Sequence, residues 1–197
     1  SAPEHFSDHP TSPWYGAWYV SEVMDILTEN PEVWKKTIFI ITYDENDGYF
    51  DHGCSYTAPD PARPETGRSS AKIGPDGLEY TTVEDEIARG VPKHLARSGP
   101  IGLGFRGPMI IASPGSRVGW VNSQLLEHTS TLRFLEIYVQ EKFVKIMKET
   151  NISPWRRAIS GGLTSCFRTF DGVAPSLPYL KRDDHLHRIE DAKGRPM

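Results

Sequence analysis

The stretch that decides the fold runs Thr37-Ile38-Phe39-Ile40-Ile41-Thr42-Tyr43 and continues without a break into Asp44-Glu45-Asn46-Asp47-Gly48-Tyr49-Phe50-Asp51-His52. Its first half is β-branched and aromatic, and it is apolar on both faces, which suits a strand covered by helices in a mostly parallel sheet. Its second half is acidic. Open α/β sheets bind ligands beyond the carboxyl ends of their strands, so the cluster emerges where such a fold places a site. A second run, Pro108-Met109-Ile110-Ile111-Ala112-Ser113, stopped by Pro114-Gly115, predicts another buried strand.

Outward from these strands the periodicity becomes helical. Val20, Val23, Met24 and Leu27 fall on one helical face that ends near Asn30-Pro31, and a short helix with Pro31 in its first turn leads into the strand. Leu132, Leu135, Val139 and Phe143 mark a helix between about Ser130 and Thr150, with Thr129 or Ser130 as its cap. Ser153 before Pro154 reads as another helix start. Between Gly53 and Gly104 lies a long excursion rich in Pro, Gly, Asp and Arg, with a short helix near Val83 to Arg89. Residues 174–197 lack periodicity and read as a tail or linker, leaving 1–173 as the domain.

The chain has 197 residues, 38% hydrophobic and 24% charged, with 17 glycines and 16 prolines. That composition is globular and loop-rich. The net charge of −4 supplies no positive field for nucleic acid, and no apolar run reaches the ~18 residues of a membrane span. Cys54 and Cys166 lack a C-x-x-C partner, which removes zinc-ribbon and thioredoxin-type sites. Two strands make a small sheet; either further strands lie in the excursion or the chain is part of a larger domain.

Asp44, Glu45, Asp47 and Asp51 with His52 place four carboxylates and an imidazole in nine residues. Such a cluster repels itself unless a cation or a set of donors neutralises it. Asp44 and Glu45 as ligands, with His52 returning after Gly48, suit a divalent metal whose identity the ligand types leave open. A water-exposed polar turn at Asn46-Asp47-Gly48 is the plain alternative. Asp8-His9 and Glu127-His128 repeat the carboxylate–histidine pairing, in which a carboxylate can set the tautomer of a ring. Gly102-Leu103-Gly104-Phe105-Arg106-Gly107 precedes a strand, so a dinucleotide loop fails on order. Arg156 and Arg157 could meet an anion, although a Trp-Arg-Arg run more often pairs with carboxylates of its own fold.

Pro3 to Pro10, Tyr43 to His52, Gly102 to Arg106, Ser113 to Ser130 and Asn151 to Arg157 together resemble the carboxy-terminal part of the catalytic domain of bacterial phosphocholine-preferring phospholipases C, in a phosphoesterase family with an acid phosphatase branch. The resemblance implies an alkaline-phosphatase-like α/β fold and, from the longer protein, hydrolysis of choline phospholipids to diacylglycerol and a phosphorylated head group. It implies that Asp44 and Glu45 bind metal, that His9, His52 and His128 are pocket histidines near the phosphate, and that the protein works in the periplasm or outside the cell. The family's nucleophilic hydroxyl lies in an amino-terminal half, near an Asn-Arg-Ser-Phe-Asp-His-like segment that this sequence does not contain. The chain is therefore expected to be a portion of a longer protein and inactive alone.

Two departures stand out. Gly115 occupies the place of a tryptophan in the family's Ser-Pro-Trp-Ser-Arg, and Glu127 that of an aspartate. A monoesterase of the acid phosphatase branch and a non-catalytic calcium-binding module are the competing expectations.

Overall fold

The computed structural model describes residues 6, 12–67, 77, 79–116, 121–169, 172 and 182–193. In chain order these carry α1 (Pro13–Thr28), α2 (Pro31–Trp34), β1 (Phe39–Thr42), β2 (Tyr80–Thr81), α3 (Val83–Ala88), β3 (Gly99–Pro100), β4 (Met109–Ala112), α4 (Thr129–Phe143), α5 (Pro154–Ile159) and α6 (Arg182–Lys193). Helices and strands are mixed along the chain, in keeping with an α/β class.

β1 pairs with β4, and β2 with β3. The second pair is antiparallel, with Tyr80 opposite Pro100 and Thr81 opposite Gly99. The Tyr43 N–H, just past β1, donates to the Pro108 carbonyl, just before β4, at 3.1 Å. A bond joining the end of one strand to the start of the other belongs to an antiparallel pair. The mostly parallel sheet expected from the sequence is thus absent among the described pairings. Apolarity on both faces reports how a strand is covered, not the direction of its neighbour. No residue of β1 or β4 is fully buried, and Ile38 and Ile110 are exposed.

The long excursion is less irregular than its composition suggests. β2, α3 and β3 lie within it, and Thr57 bridges Gly102. A Cβ on Gly102 would sit 2.4 Å from the Tyr56 carbonyl oxygen, so only glycine allows this approach. Thr82 and Asp85 cap α3 reciprocally, each side chain taking the other's backbone N–H.

The chain divides into two compact units. One holds residues 1–40, 111–118 and 169–197. In it Pro31 and the Asn30 cap start α2 as the sequence predicts, and the Phe6 ring lies 5.5 to 6.3 Å from the rings of Tyr15, Trp18 and Tyr19. Here the structure departs from the expected tail. Residues 182–193 form α6, which packs on α1, with Ile189 buried.

The other unit holds residues 41–110 and 119–168. Its core contains Ala58, Ala96, Ile152, Trp155 and Leu163, with Ser130 and Ser160 buried among them. α4 ends at Phe143, short of the predicted Thr150, because Val144 takes a left-handed conformation at φ 52°. The face predicted to be its core side is largely exposed at Leu132, Leu135 and Phe143. Phe134 instead stacks on Phe167 at 5.2 Å, and Ile137 lies against Gly162.

Candidate functional site

The acidic stretch follows β1 as a tight turn. Asp47 and Gly48 both adopt positive φ, 58° and 70°, the left-handed geometry that Asp tolerates and Gly adopts freely. Asn46 closes it, donating to the Tyr49 carbonyl at 2.7 Å, while the Glu45 carboxylate accepts the Asp47 N–H. Asp44 and Glu45 are both exposed, and the Asp44 carboxylate has no hydrogen-bond partner among the described residues.

Asp51, counted at first with the acidic cluster, is committed elsewhere. Its carboxylate takes the Arg106 guanidinium at 2.5 to 3.2 Å, the Arg106 N–H at 3.2 Å and the Gly53 N–H at 2.9 Å. The Arg106 bond, helped by the Gly53 N–H, holds the Asp51 carboxyl far below the usual carboxylate range. His52, next in sequence, is exposed.

His128 arrives from the start of α4. Its Nε2 lies 2.8 Å from the Tyr43 carbonyl oxygen, on the peptide group that leads into Asp44. A carbonyl only accepts, so Nε2 carries a proton, and the tautomer that fits this bond when the ring is neutral has its lone pair on Nδ1. The cap expected from Thr129 or Ser130 is built differently. Glu127 accepts the Thr129 N–H at 3.0 Å, and the buried Ser130 hydroxyl accepts the Glu127 N–H at 3.0 Å.

Behind this turn stands an ion-pair network. Arg156 donates from Nε and Nη2 to the two oxygens of Glu79 at 2.6 and 3.0 Å, and from Nη1 to Glu127 at 3.0 Å. The Ser153 hydroxyl, which caps α5 by accepting the Arg156 N–H, also donates to Glu79 at 2.7 Å. Burial acts to lower the Arg156 pKa, but the Glu79 and Glu127 carboxylates outweigh it and hold the proton more tightly than usual. Arg157 pairs with Glu136 at 2.7 and 2.9 Å. Both arginines therefore bind carboxylates of the fold. The sequence showed the arginines, but not that Glu79, 77 residues from Arg156, would meet one of them.

Of the expected site residues, the structure brings His128 to the base of the Asp44-Glu45 turn. His52 is exposed, and His9 lies outside the described residues. Among the described residues no three His, Cys, Asp or Glu side chains gather as a metal cage. Asp44 and Glu45 offer hard oxygen donors that fit a divalent cation in kind but fall short of the four ligands zinc takes and the six or more of magnesium or calcium. Both cysteines are free thiols. No helix among the described residues is long and apolar enough to cross a membrane.

Comparison with known proteins places this turn in a family. The phosphoesterase family model matches residues 1–140, covering all four described strands, the acidic turn and the His128 loop. The chain belongs to the phosphoesterase family. It is similar to a non-hemolytic phospholipase C of Burkholderia pseudomallei (strain K96243), 45% identical over 94% of this chain and 25% of the relative. It is 46% identical to a non-hemolytic phospholipase C of Pseudomonas aeruginosa over 84% of this chain and 22% of that protein, and 41% identical to a hemolytic phospholipase C of the same organism over 97% and 23%. The chain thus spans about a quarter of the length of these relatives. Within a phosphoesterase, the exposed Asp44-Glu45 turn and the histidine at its base gain a chemical context that an isolated polar turn lacks.

Proposed function

We propose that this chain forms part of the catalytic domain of a phospholipase C-like phosphoesterase, a hydrolase of phosphoric ester bonds whose intact form cleaves choline phospholipids to diacylglycerol and a phosphorylated head group. The observation that carries the reading is the His128 Nε2 bond to the Tyr43 carbonyl, which sets an imidazole at the root of the Asp44-Glu45 turn in a family member. The names of the similar proteins support phospholipase C over other phosphoesterases.

Asp44 and Glu45 would contribute two ligands to a divalent cation, and the rest of its shell comes from outside the described residues. When bound, such an ion neutralises the charge that builds on phosphoryl oxygens. His128 holds its Nε2 proton on the Tyr43 carbonyl, which leaves Nδ1 to accept a proton and, once protonated, to donate it to a phosphate oxygen or a departing alkoxide. His9 and His52 are proposed as further pocket histidines that protonate the departing alkoxide or bind a non-bridging oxygen. The nucleophilic hydroxyl belongs to an amino-terminal half of the same catalytic domain. That half would also complete the alkaline-phosphatase-like sheet over β1 and β4, whose apolar residues remain partly exposed here. The intact enzyme is proposed to act in the periplasm or outside the cell.

The experiment compares the intact protein and the 197-residue chain on phosphatidylcholine, p-nitrophenylphosphorylcholine and a simple phosphate monoester. Metal-dependent turnover of the two diesters by the intact protein alone is expected. Robust turnover by the 197-residue chain contradicts the divided site, and faster turnover of the monoester assigns the acid phosphatase branch instead.

A further inference from the structure

The Glu79–Arg156–Glu127 network reaches the proposed site without touching it. Arg156 is gripped on one side by a two-pronged bond to Glu79 and on the other holds Glu127 at 3.0 Å. The Glu127 side chain is almost fully enclosed, and its remaining bonds go to the Thr129 N–H, the Thr129 hydroxyl and, at 3.5 Å, the Ser160 hydroxyl. The Glu127 main chain is tied as well, through its N–H to the buried Ser130 hydroxyl. His128 therefore sits between two residues whose positions are fixed, while its own ring is exposed and held by a bond to the Tyr43 carbonyl. An exposed imidazole has little packing to select its orientation, so its orientation depends on the backbone that carries it.

We propose that Arg156 is a positioning residue for His128. By anchoring Glu127 to Glu79 it sets the turn at residues 127–130, so that the ring donates Nε2–H to the Tyr43 carbonyl. Removing the guanidinium leaves Glu127 and Glu79 as enclosed carboxylates facing each other without a cation, and the turn must open to rehydrate them. The proposal deepens the phosphoesterase reading, because the ring's place matters to catalysis only if that reading holds. The placement itself can be measured without catalysis.

The test is nuclear magnetic resonance of the 197-residue chain at about pH 8.5, in the same buffer for every variant. The ring tautomer, the solvent exchange of the Nε2 proton and the Asp44 amide shift are read in wild type, Arg156→Gln, Arg156→Lys and Glu127→Gln. Wild type is expected to show a protected Nε2 proton. Arg156→Gln and Glu127→Gln should speed its exchange at least about tenfold, the scale of losing one hydrogen bond, and move the Asp44 amide. Arg156→Lys, which restores the charge without the fork, should recover part of the protection. Near-ultraviolet circular dichroism of the aromatic side chains, the buried Trp155 among them, reports whether each variant is folded, and Glu127→Gln, nearly equal in volume, serves if Arg156→Gln is not. A folded Arg156→Gln or Glu127→Gln variant with unchanged exchange and an unchanged Asp44 amide overturns the proposal. Activity of Asp44 variants tests the phosphoesterase reading separately, so the two ideas fail independently.

Discussion

Arg106 and Asp51 meet as a fork, with Nη2 on Oδ1 at 2.5 Å and Nε on Oδ2 at 2.9 Å, across 55 residues of chain. The pair closes the base of the excursion. Paired N–H donors on a carboxylate give both strength and a fixed geometry. Asp51 further takes the Gly53 N–H and the Arg106 N–H, so its loss would free three groups at once.

Asp51→Asn is therefore expected to loosen the excursion more than the unit's core. Trypsin should cut at Arg89 and Lys93 several-fold faster than in wild type, with little change in the thermal midpoint. Arg106→Lys should fall between the two, because an ammonium cannot match the fork. Equal cleavage rates in all three proteins would show that the pair does not secure the loop.

Acid should act through Glu136. Its bond to Arg157, with help from the Glu149 N–H, lowers its pKa from 4.5 to about 2. A folded-state pKa below the unfolded one means that the paired carboxylate stabilises the fold above about pH 4.5, and that this contribution fades as pH falls toward 2. Asp51, held lower still by Arg106, acts in the same direction. Urea midpoints of wild type and Glu136→Gln should differ at pH 6 and converge near pH 2. A constant difference across that window would contradict the assignment.

Trp155, in the first turn of α5, is wholly buried. Trp155→Ala is expected to cost about 3 to 5 kcal/mol, the usual range for emptying a buried aromatic site. The loss should appear as a lowered urea midpoint. A change below about 1 kcal/mol would place the stabilising core elsewhere.

Much of this was legible from local pattern. β1 and β4 announced themselves as β-branched runs ended by polar or Pro-Gly signals, and Asn30-Pro31 and Ser153-Pro154 fixed helix starts through capping. Strand direction was not legible, because it depends on partners far along the chain. α6 escaped notice because Arg182 to Lys193 is strongly polar, with Leu186 and Ile189 as its main apolar residues. α4 misled in a different way. Its best apolar stripe, Leu132, Leu135, Val139 and Phe143, is periodic yet largely exposed in this chain, while Phe134 and Ile137 make the contacts. Periodicity marks what could be covered, and only structure shows what is. At the site, the acidic turn and Glu127-His128 stood out as motifs, but the bond joining His128 to Tyr43 spans 85 residues and has no local signature.

Turnover of phosphatidylcholine by the intact protein carrying Asp44→Asn, Glu45→Gln or both, with saturating divalent metal and again after chelation, tests the central claim most directly. The account predicts a fall in kcat of at least about 100-fold for each variant, about 2.7 kcal/mol of transition-state stabilisation. It also predicts no change in the thermal midpoint of the chelated protein, because neither exposed carboxylate supports the core. Variants that retain turnover within about twofold of wild type, or a wild-type enzyme indifferent to chelation, would contradict it.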